Sequence, residues 1–197
     1  MGAAAKHKES LVRSAMRLFR RQGYASTGLQ QILAESGAPR GSLYHYFPSG
    51  KESLGEAAVG MAGDLIREML ESHAARHPDP KAFVQAWSRT MAGWMEESGF
   101  QSGCPIATTV LETAPRSPAI TLAGRNAVDG WIDVVADVLA RDGMPAREAR
   151  SRAQLLIAAM EGALILARVR QSKQPILDVA KLVRGPARGR PAAPRSG

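Results

Sequence analysis

Residues 27–51 read TGLQQILAESGAPRGSLYHYFPSGK and divide into a short helix, a tight turn and a second short helix. In the first half, three apolar side chains recur at helical spacing, and Thr27 precedes them where a helix N-cap belongs. The turn at 36–39 contains a glycine, which can end a helix in the left-handed conformation, and a proline, which suits the first turn of the next helix. The second helix is predicted over residues 40–47. Two helices joined by such a turn form the helix-turn-helix geometry of DNA-binding proteins.

The second helix of this pair has the composition of a surface that contacts DNA. Leu43 and Phe47 share one face, and no carboxylate occurs in residues 37–50. The other side chains offer guanidinium, hydroxyl and imidazole donors, which suit phosphates and base edges. They are Arg40, Ser42, Tyr44, His45 and Tyr46. The alternative is an ordinary helical hairpin with a polar exterior, which the exclusion of acids and the two tyrosines beside a histidine disfavour.

Several motifs around this stretch resemble the N-terminal domain of TetR-family transcriptional regulators. They are FRRQGY at 19–24, ST at 26–27, GSLYHYF at 41–47 and the lysine at 51, in the order and spacing of that family. Two further motifs, SGAPRGS at 36–42 and GCPIA at 103–107, are similar to the LmrA/YxaF-type branch. In that branch a tyrosine and then a histidine precede the phenylalanine, whereas here His45 precedes Tyr46. The individual roles of these two residues therefore stay open.

The resemblance implies an all-α protein of about nine helices. A three-helix DNA-binding domain is expected at 1–51, followed by a ligand-binding and dimerisation bundle at 52–184. A homodimer joined through the last two helices would bind a roughly palindromic operator in double-stranded DNA, most simply as a repressor released by a small, largely apolar or aromatic effector. On this basis Arg40, Ser42 and Tyr44 contact base edges or the groove, and Thr27, His45, Tyr46 and Lys51 contact phosphates.

The net charge of +8 is concentrated at the two ends of the chain. Residues 1–51 carry eight lysines and arginines against two acids, and residues 184–197 carry four arginines and no acid. The middle of the chain is therefore slightly acidic. A cationic head on a nearly neutral body indicates a polyanionic partner bound at one end. The tail at 185–197 is rich in Gly, Pro, Arg and Ala and is expected to be disordered.

Several other classes of protein are disfavoured by what the sequence lacks. A single cysteine, Cys104, excludes an internal disulfide and the usual zinc finger. The sequence has neither a signal-peptide pattern nor an apolar run of membrane-spanning length, so a cytoplasmic protein without a membrane partner is expected. It also has no glycine-rich phosphate loop, nucleophile elbow or evident paired-carboxylate site, so neither an enzyme nor a cofactor is expected.

Apolar periodicity, interrupted by proline and glycine, predicts seven further helices. Their expected ranges are 6–22, 51–76, 81–98, 104–114, 117–142, 146–171 and 175–183. The last of them is apolar on more than one side, which suggests a partner beyond its own chain.

The helix predicted at 81–98 concentrates two of the three tryptophans and two of the eight methionines of the chain. Large, flat and polarizable side chains suit an adaptable apolar pocket, although the same residues can equally form a core. The resemblance places this helix at the wall of a ligand cavity. The candidate ligand-binding residues are Phe83, Trp87, Met91, Trp94, Met95, Cys104, Trp131 and Met160. Asn126 and Asp129 are either polar groups of the pocket or solvated.

Two functions of other classes stay open. His73 and His77 lie four residues apart near Glu71, which makes them a candidate metal pair in an all-α enzyme, although a helix end before a proline more often carries surface residues. A helical ligand-binding or scaffold protein would instead bind every DNA sequence with similar affinity. For Cys104, redox sensing is weaker than inert packing, because no flanking base or resolving cysteine is present.

Overall fold

The structure, a computed structural model, describes residues 3–183 as nine α-helices and one short 3₁₀ turn. In chain order these are α1 (Ala3–Gln22), α2 (Leu29–Ser36), α3 (Arg40–Tyr46), α4 (Lys51–Arg76), α5 (Pro80–Glu97), α6 (Pro105–Thr113), α7 (Pro118–Arg141), α8 (Ala146–Arg170), α9 (Gln174–Asp178) and the 3₁₀ turn (Val179–Leu182). Between residues 3 and 183 there is no strand, and the predicted all-α architecture is confirmed. The basic tail expected at 185–197 lies outside the described residues.

Local chemistry at the helix ends explains most of these boundaries. The helices α5, α6 and α7 each begin at a proline that follows a capping residue, namely Asp79, Cys104 and Ser117. Proline suits this position because its ring fixes φ and the N–H that it lacks would have no helical partner. Gly37, at φ 63°, ends α2 in the left-handed conformation. The predicted N-cap of α2 is wrong, because Gly28 holds that position and Thr27 lies one residue earlier.

The helices α1, α2 and α3 pack around a small apolar core and form the N-terminal head. Two residues of α4, Leu54 and Ala58, complete this core. The next buried residues of α4, Val59 and Ala62, belong to the core of the body. One continuous helix therefore contributes to both cores.

In the body, α4 and α7 approach each other closely because small residues face one another. A Cβ added to Gly63 would lie 2.5 Å from the Cβ of Ala127, so only glycine permits this approach. The indole N–H of Trp131 donates to the carbonyl of Gly63 at 2.9 Å. This hydrogen bond fixes the Trp131 ring, which is almost fully buried.

The end of the described chain packs against its own body. α9 and the 3₁₀ turn contact α5 and α8, and Ile176, Val179 and Ala180 are buried there. The inference that this last helix needs a partner to cover its apolar residues is therefore wrong for these three side chains. None of the described helices has the length and apolar character of a membrane-spanning segment.

Candidate nucleic-acid interface and ligand cavity

Helix α3 lies on the surface of the head with its polar side outward. Leu43 is fully buried and Phe47 is nearly so, which anchors the helix to the core of the head. The rings of His45 and Tyr46 meet edge-on, with centroids 4.7 Å apart. All the predicted DNA-contacting side chains of this helix are exposed or half-buried, namely Arg40, Ser42, Tyr44, His45 and Tyr46. The helix therefore presents polar side chains and the charge of Arg40 to solvent.

The remaining two predicted phosphate contacts flank this helix. Thr27 is fully buried, and its hydroxyl donates to the carbonyl of Gly23 at 2.7 Å. In contrast to the prediction, its side chain is not placed to reach a phosphate, because it closes the turn before α2. Lys51 is half-buried at the first turn of α4, and its ammonium donates to the carbonyl of Ala25 at 3.2 Å. Desolvation lowers the pKa of Lys51, and the charge of Glu112 opposes this shift.

A cavity of about 530 Å³ lies in the body, between α4, α5, α7 and α8 and beside the loop before α6. Its walls are mainly apolar, and they include all three tryptophans of the chain. Seven of the eight predicted ligand-binding residues line it: Trp87, Met91, Trp94, Met95, Cys104, Trp131 and Met160. Phe83 does not line it. Its ring lies one turn before Trp87, 6.4 Å away between centroids, and is buried in the core.

The two polar residues proposed for the pocket on α7 lie elsewhere. Asn126 and Asp129 are exposed, and Asp129 forms an ion pair with Arg150 at 3.6 Å. Neither belongs to the cavity wall. Both belong to the solvated side of α7.

A carboxyl group that was not predicted, that of Glu161 on α8, lines the cavity next to Cys104. Desolvation raises the pKa of Glu161, and its hydrogen bond with Cys104 opposes this shift. The pKa of the Cys104 thiol is raised well above its usual range, first by burial and then by the charge of Glu161. The thiol therefore stays protonated, which argues against redox sensing. One signal for Glu161 was present in the sequence, since it is the single acid in the apolar run 155–167.

Trp87 also has a hydrogen-bond donor that no described residue accepts. Its indole N–H is buried and has no hydrogen-bond partner among the residues that the structure describes. Buried indole N–H groups usually have a partner, because leaving one unsatisfied costs free energy. Trp87 therefore combines an apolar surface in the cavity wall with an available donor.

The head itself forms part of the cavity wall. Met16, Arg17 and Arg20 of α1 line the cavity on the side facing the head. The Nε of Arg20 donates to the carbonyl of Gly103, in the loop before α6, at 2.8 Å. The sequence alone predicts no partner for this side of α1. The periodicity of one helix does not reveal which distant segment covers it.

A second connection between body and head runs through α6. Near the end of this helix, the carboxylate of Glu112 accepts hydrogen bonds from the backbone N–H groups of Tyr24 (3.1 Å) and Ala25 (2.6 Å). Gly23 is at φ 87°, and an added Cβ there would lie 2.4 Å from the Glu112 carboxylate. The helix from Pro105, which lines the cavity, to Glu112 thus joins the cavity to the turn before α2.

The candidate metal pair has a different environment from the one expected. His73 is buried, and its Nε2 lies 2.9 Å from the hydroxyl of Thr90. The rings of His73 and His77 are 6.3 Å apart between centroids. Within residues 3–183 there is no cluster of three His, Cys, Asp or Glu side chains suited to a metal ion.

Two family profiles match the chain over its two parts. Residues 11–58 match the profile described as bacterial regulatory proteins of the tetR family. Residues 80–182 match the profile described as the C-terminal domain of LmrA/YxaF-like transcriptional regulators. The first match covers the helix-turn-helix, and the second covers most of the cavity wall.

The chain is also similar to individual regulators, in sequence or in fold. The uncharacterized HTH-type transcriptional regulator YxaF of Bacillus subtilis is 32% identical over 89% of this chain and 92% of its own length. The HTH-type transcriptional regulator LmrA of the same organism is 31% identical over 89% of this chain and 94% of its own. The fold is similar to that of the regulatory protein TetR from Rhodobacter sphaeroides, with a TM-score of 0.79 and 21% identity, over 88% of this chain and 95% of that one.

Proposed function

This chain belongs to the TetR family of bacterial transcriptional regulators, in its LmrA/YxaF-like branch, and we propose that it is a repressor released by a small effector. A homodimer binds a palindromic operator through two copies of α3, and a largely apolar or aromatic molecule in the cavity weakens that binding. One observation carries the proposal. The apolar cavity of the body has α1 in its wall, and α1 belongs to the head that presents α3.

In the DNA complex, α3 enters the major groove with its exposed face toward the bases. Arg40, Ser42 and Tyr44 contact base edges or the groove, since their guanidinium and hydroxyl groups match the donors and acceptors there. His45, Tyr46 and Lys51 contact phosphates. The N-terminal end of α4 adds its positive partial charge at Lys51.

The dimer forms mainly through α8. Residues 155, 158, 162, 165 and 169 follow one another at alternating intervals of three and four, the spacing of a helix seam. Leu155, Ile165 and Val169 are 66, 63 and 77% exposed in the single chain, and the small residues Ala158 and Gly162 lie between them. A second copy of α8 covers this stripe, because a two-fold axis places the same surface on both partners.

Release follows from the two links between cavity and head. An effector contacts α1 directly, and it contacts the start of α6, whose other end holds the turn before α2 through Glu112. Binding therefore favours a head position that differs from the one that fits the operator. The effector shifts this equilibrium only by its difference in affinity for the two positions.

The experiment that tests the proposal measures binding of the purified protein to DNA fragments. The fragments include the region upstream of its own coding sequence, and each is tested at two salt concentrations with excess competitor DNA. Selective binding that survives competitor supports a specific regulator. Equal and steeply salt-dependent binding to every fragment would show that the head is only an electrostatic patch and would reject the proposal.

A first prediction concerns the hydroxyl of Tyr46. Because Tyr46 is half-buried and packs against the core of the head, Tyr46→Phe keeps the packing and removes only the hydroxyl. We expect the affinity for the selected fragment to fall about fivefold, the effect of losing one hydrogen bond of about 1 kcal/mol. Fluorescence anisotropy measures this change, and an unchanged melting temperature shows that the head is folded. Undiminished affinity would contradict the phosphate role of Tyr46.

A further inference from the structure

Arg20 is a partly buried cation at the cavity wall without an acidic partner. Its Nε donates to the carbonyl of Gly103, and within residues 3–183 no carboxylate oxygen lies within ion-pair distance of its guanidinium. Desolvation lowers its pKa, so the burial of this charge is not fully offset. A guanidinium has five N–H donors in a planar fork, and one of them is used here. The remaining donors are available to an anion.

The other ionisable groups at the cavity do not supply that anion. Arg17 lies one turn from Arg20 and is paired with Glu35 at 2.8 Å. Glu97 is exposed at the edge of the cavity, where water screens its charge. Burial favours the neutral forms of Glu161 and Cys104. The cavity therefore combines tryptophan and methionine walls with one cation whose charge is uncompensated.

We propose that Arg20 forms an anion subsite of the cavity. The effector is then an apolar molecule with aromatic rings and one acidic group, a carboxylate or a comparable oxyanion. This inference rests on the proposed function, in which the cavity holds the effector. The acidic group accepts charge-assisted hydrogen bonds from the guanidinium, and the rings of the effector lie against Trp87, Trp94 and Trp131. Arg17 adds a second positive charge on the same side of α1.

An anion bound at Arg20 also affects the head. Arg20 belongs to α1, and its hydrogen bond to Gly103 ties α1 to the loop before α6. An anion on the remaining donors of the guanidinium sets the position of Arg20 on α1, and it also competes with Glu35 for Arg17. A neutral molecule of the same shape fills the cavity without this competition. The acidic group therefore sets both the affinity for the effector and the strength of the release.

Two fluorescent probes that share a ring system test the subsite. 1-Anilinonaphthalene-8-sulfonate carries a sulfonate, and N-phenyl-1-naphthylamine has the same rings without it. All three tryptophans of the chain line this cavity, so probe emission excited through tryptophan measures binding, and the variants assign that binding to the cavity. We expect the wild-type protein to bind the sulfonate probe about tenfold more tightly than the neutral probe, as one or two charge-assisted hydrogen bonds predict.

The variants assign this preference to one side chain. Arg20→Gln should remove the preference by weakening the sulfonate probe about tenfold, with the neutral probe unchanged. Arg20→Lys keeps a positive charge and should retain part of the preference. Arg21→Gln, at an exposed arginine next in sequence, should behave as the wild-type protein. Melting temperatures establish that each variant is folded.

Three results would overturn the inference: equal binding of both probes to the wild-type protein, equal weakening of both probes by Arg20→Gln, or no tryptophan-excited emission from either probe. Preference for the neutral probe in the wild-type protein, reversed by Glu161→Gln, would assign specificity to the Glu161 carboxyl instead. Fragment binding is measured on the same samples without probe. If DNA binding is selective but the probe test fails, the anion subsite is rejected and the proposed function as a regulator stands.

Discussion

The buried imidazole of His73 makes the stability of the body depend on pH. Desolvation is the largest cause that lowers its pKa, and the neighbouring charges of Arg76, His77 and Arg89 add to it. The folded state therefore holds His73 neutral at pH values where the unfolded chain, with a pKa of about 6.5, takes up a proton. We expect the contribution of His73 to the free energy of unfolding to be constant above this range and to fall as the pH decreases below about 6.5.

Urea unfolding at about pH 7.5 and about pH 5.5 measures this effect. His73→Gln keeps a polar side chain near the Thr90 hydroxyl and removes the titration, so the loss of stability between the two pH values should be smaller than in the wild-type protein. The exposed His45 on α3 provides the matched control, and His45→Gln should lose as much stability as the wild-type protein. An equal loss in His73→Gln would assign the pH dependence to other groups.

Single residues of the cavity were predictable when their type and spacing were distinctive. The concentration of large apolar side chains predicts a pocket wall on the helix that carries Trp87, Met91 and Met95, and these residues line the cavity. Phe83 belongs to the same stripe but lies beyond the end of the cavity, since spacing defines the face of a helix and not the depth at which a cavity ends. Arg20 and Glu161 also line the cavity, and they are not predictable in this way because the position of a charged residue in a helix pattern does not show whether it faces water or a cavity.

Among the helices, α6 connects the cavity to the head, and a substitution of Glu112 tests whether this connection transmits the signal. Its carboxylate accepts two backbone hydrogen bonds from the turn before α2, at 3.1 and 2.6 Å. Both are partly exposed, so Glu112→Ala should lower the free energy of unfolding by only about 1 kcal/mol. The link between α6 and the head would be lost, so the variant should bind the selected DNA fragment but respond less to a cavity ligand.

The measurement compares the release of the DNA fragment by the sulfonate probe in the wild-type protein and in Glu112→Ala. Glu68→Ala, at an exposed acid on α4, is the control for removing one negative charge. Full release from Glu112→Ala with unchanged probe affinity would show that α6 does not transmit the signal, and the direct contact of α1 with the cavity would then carry it alone.

Helix boundaries were predictable because they depend on nearby residues. The prolines that begin α5, α6 and α7 and the glycine that ends α2 mark the chain at those points. The environment of α9 was not predictable in this way. Its apolar residues are covered by α5 and α8, which lie far away in sequence, and only the assembled bundle shows that these side chains have partners within the chain.

At the scale of the whole molecule, the contacts that give the protein its proposed switch join distant segments. The hydrogen bond from Arg20 to Gly103 spans 83 residues, and the one from Tyr24 to Glu112 spans 88. Composition predicted a cationic head and a nearly neutral body. It contained no information on which side of α1 faces the body. The sequence therefore indicates a head and an apolar pocket as separate parts, and only the structure shows the wall that they share.

The final prediction concerns the stripe on α8 that a second copy is proposed to cover. Ile165 lies within this stripe and is 63% exposed in the single chain. Ile165→Asp places a carboxylate in an apolar interface, and a two-fold axis places it there twice. Each unpaired buried charge costs on the order of 3 kcal/mol, so the variant should be monomeric by size-exclusion chromatography with light scattering. It should also lose tight binding to a palindromic fragment, since each monomer reads only one half-site.

Leu111 on α6 is the matched control, because it is 81% exposed and lies outside the stripe. Leu111→Asp introduces the same charge at an apolar surface residue and should remain a dimer with full DNA affinity. Because Ile165 is exposed in the single chain, Ile165→Asp should keep its helical circular dichroism, so that loss of the dimer is distinguished from loss of the fold. A dimeric Ile165→Asp with normal DNA affinity would place the interface on another surface. The operator would then be read with a different spacing between the two heads.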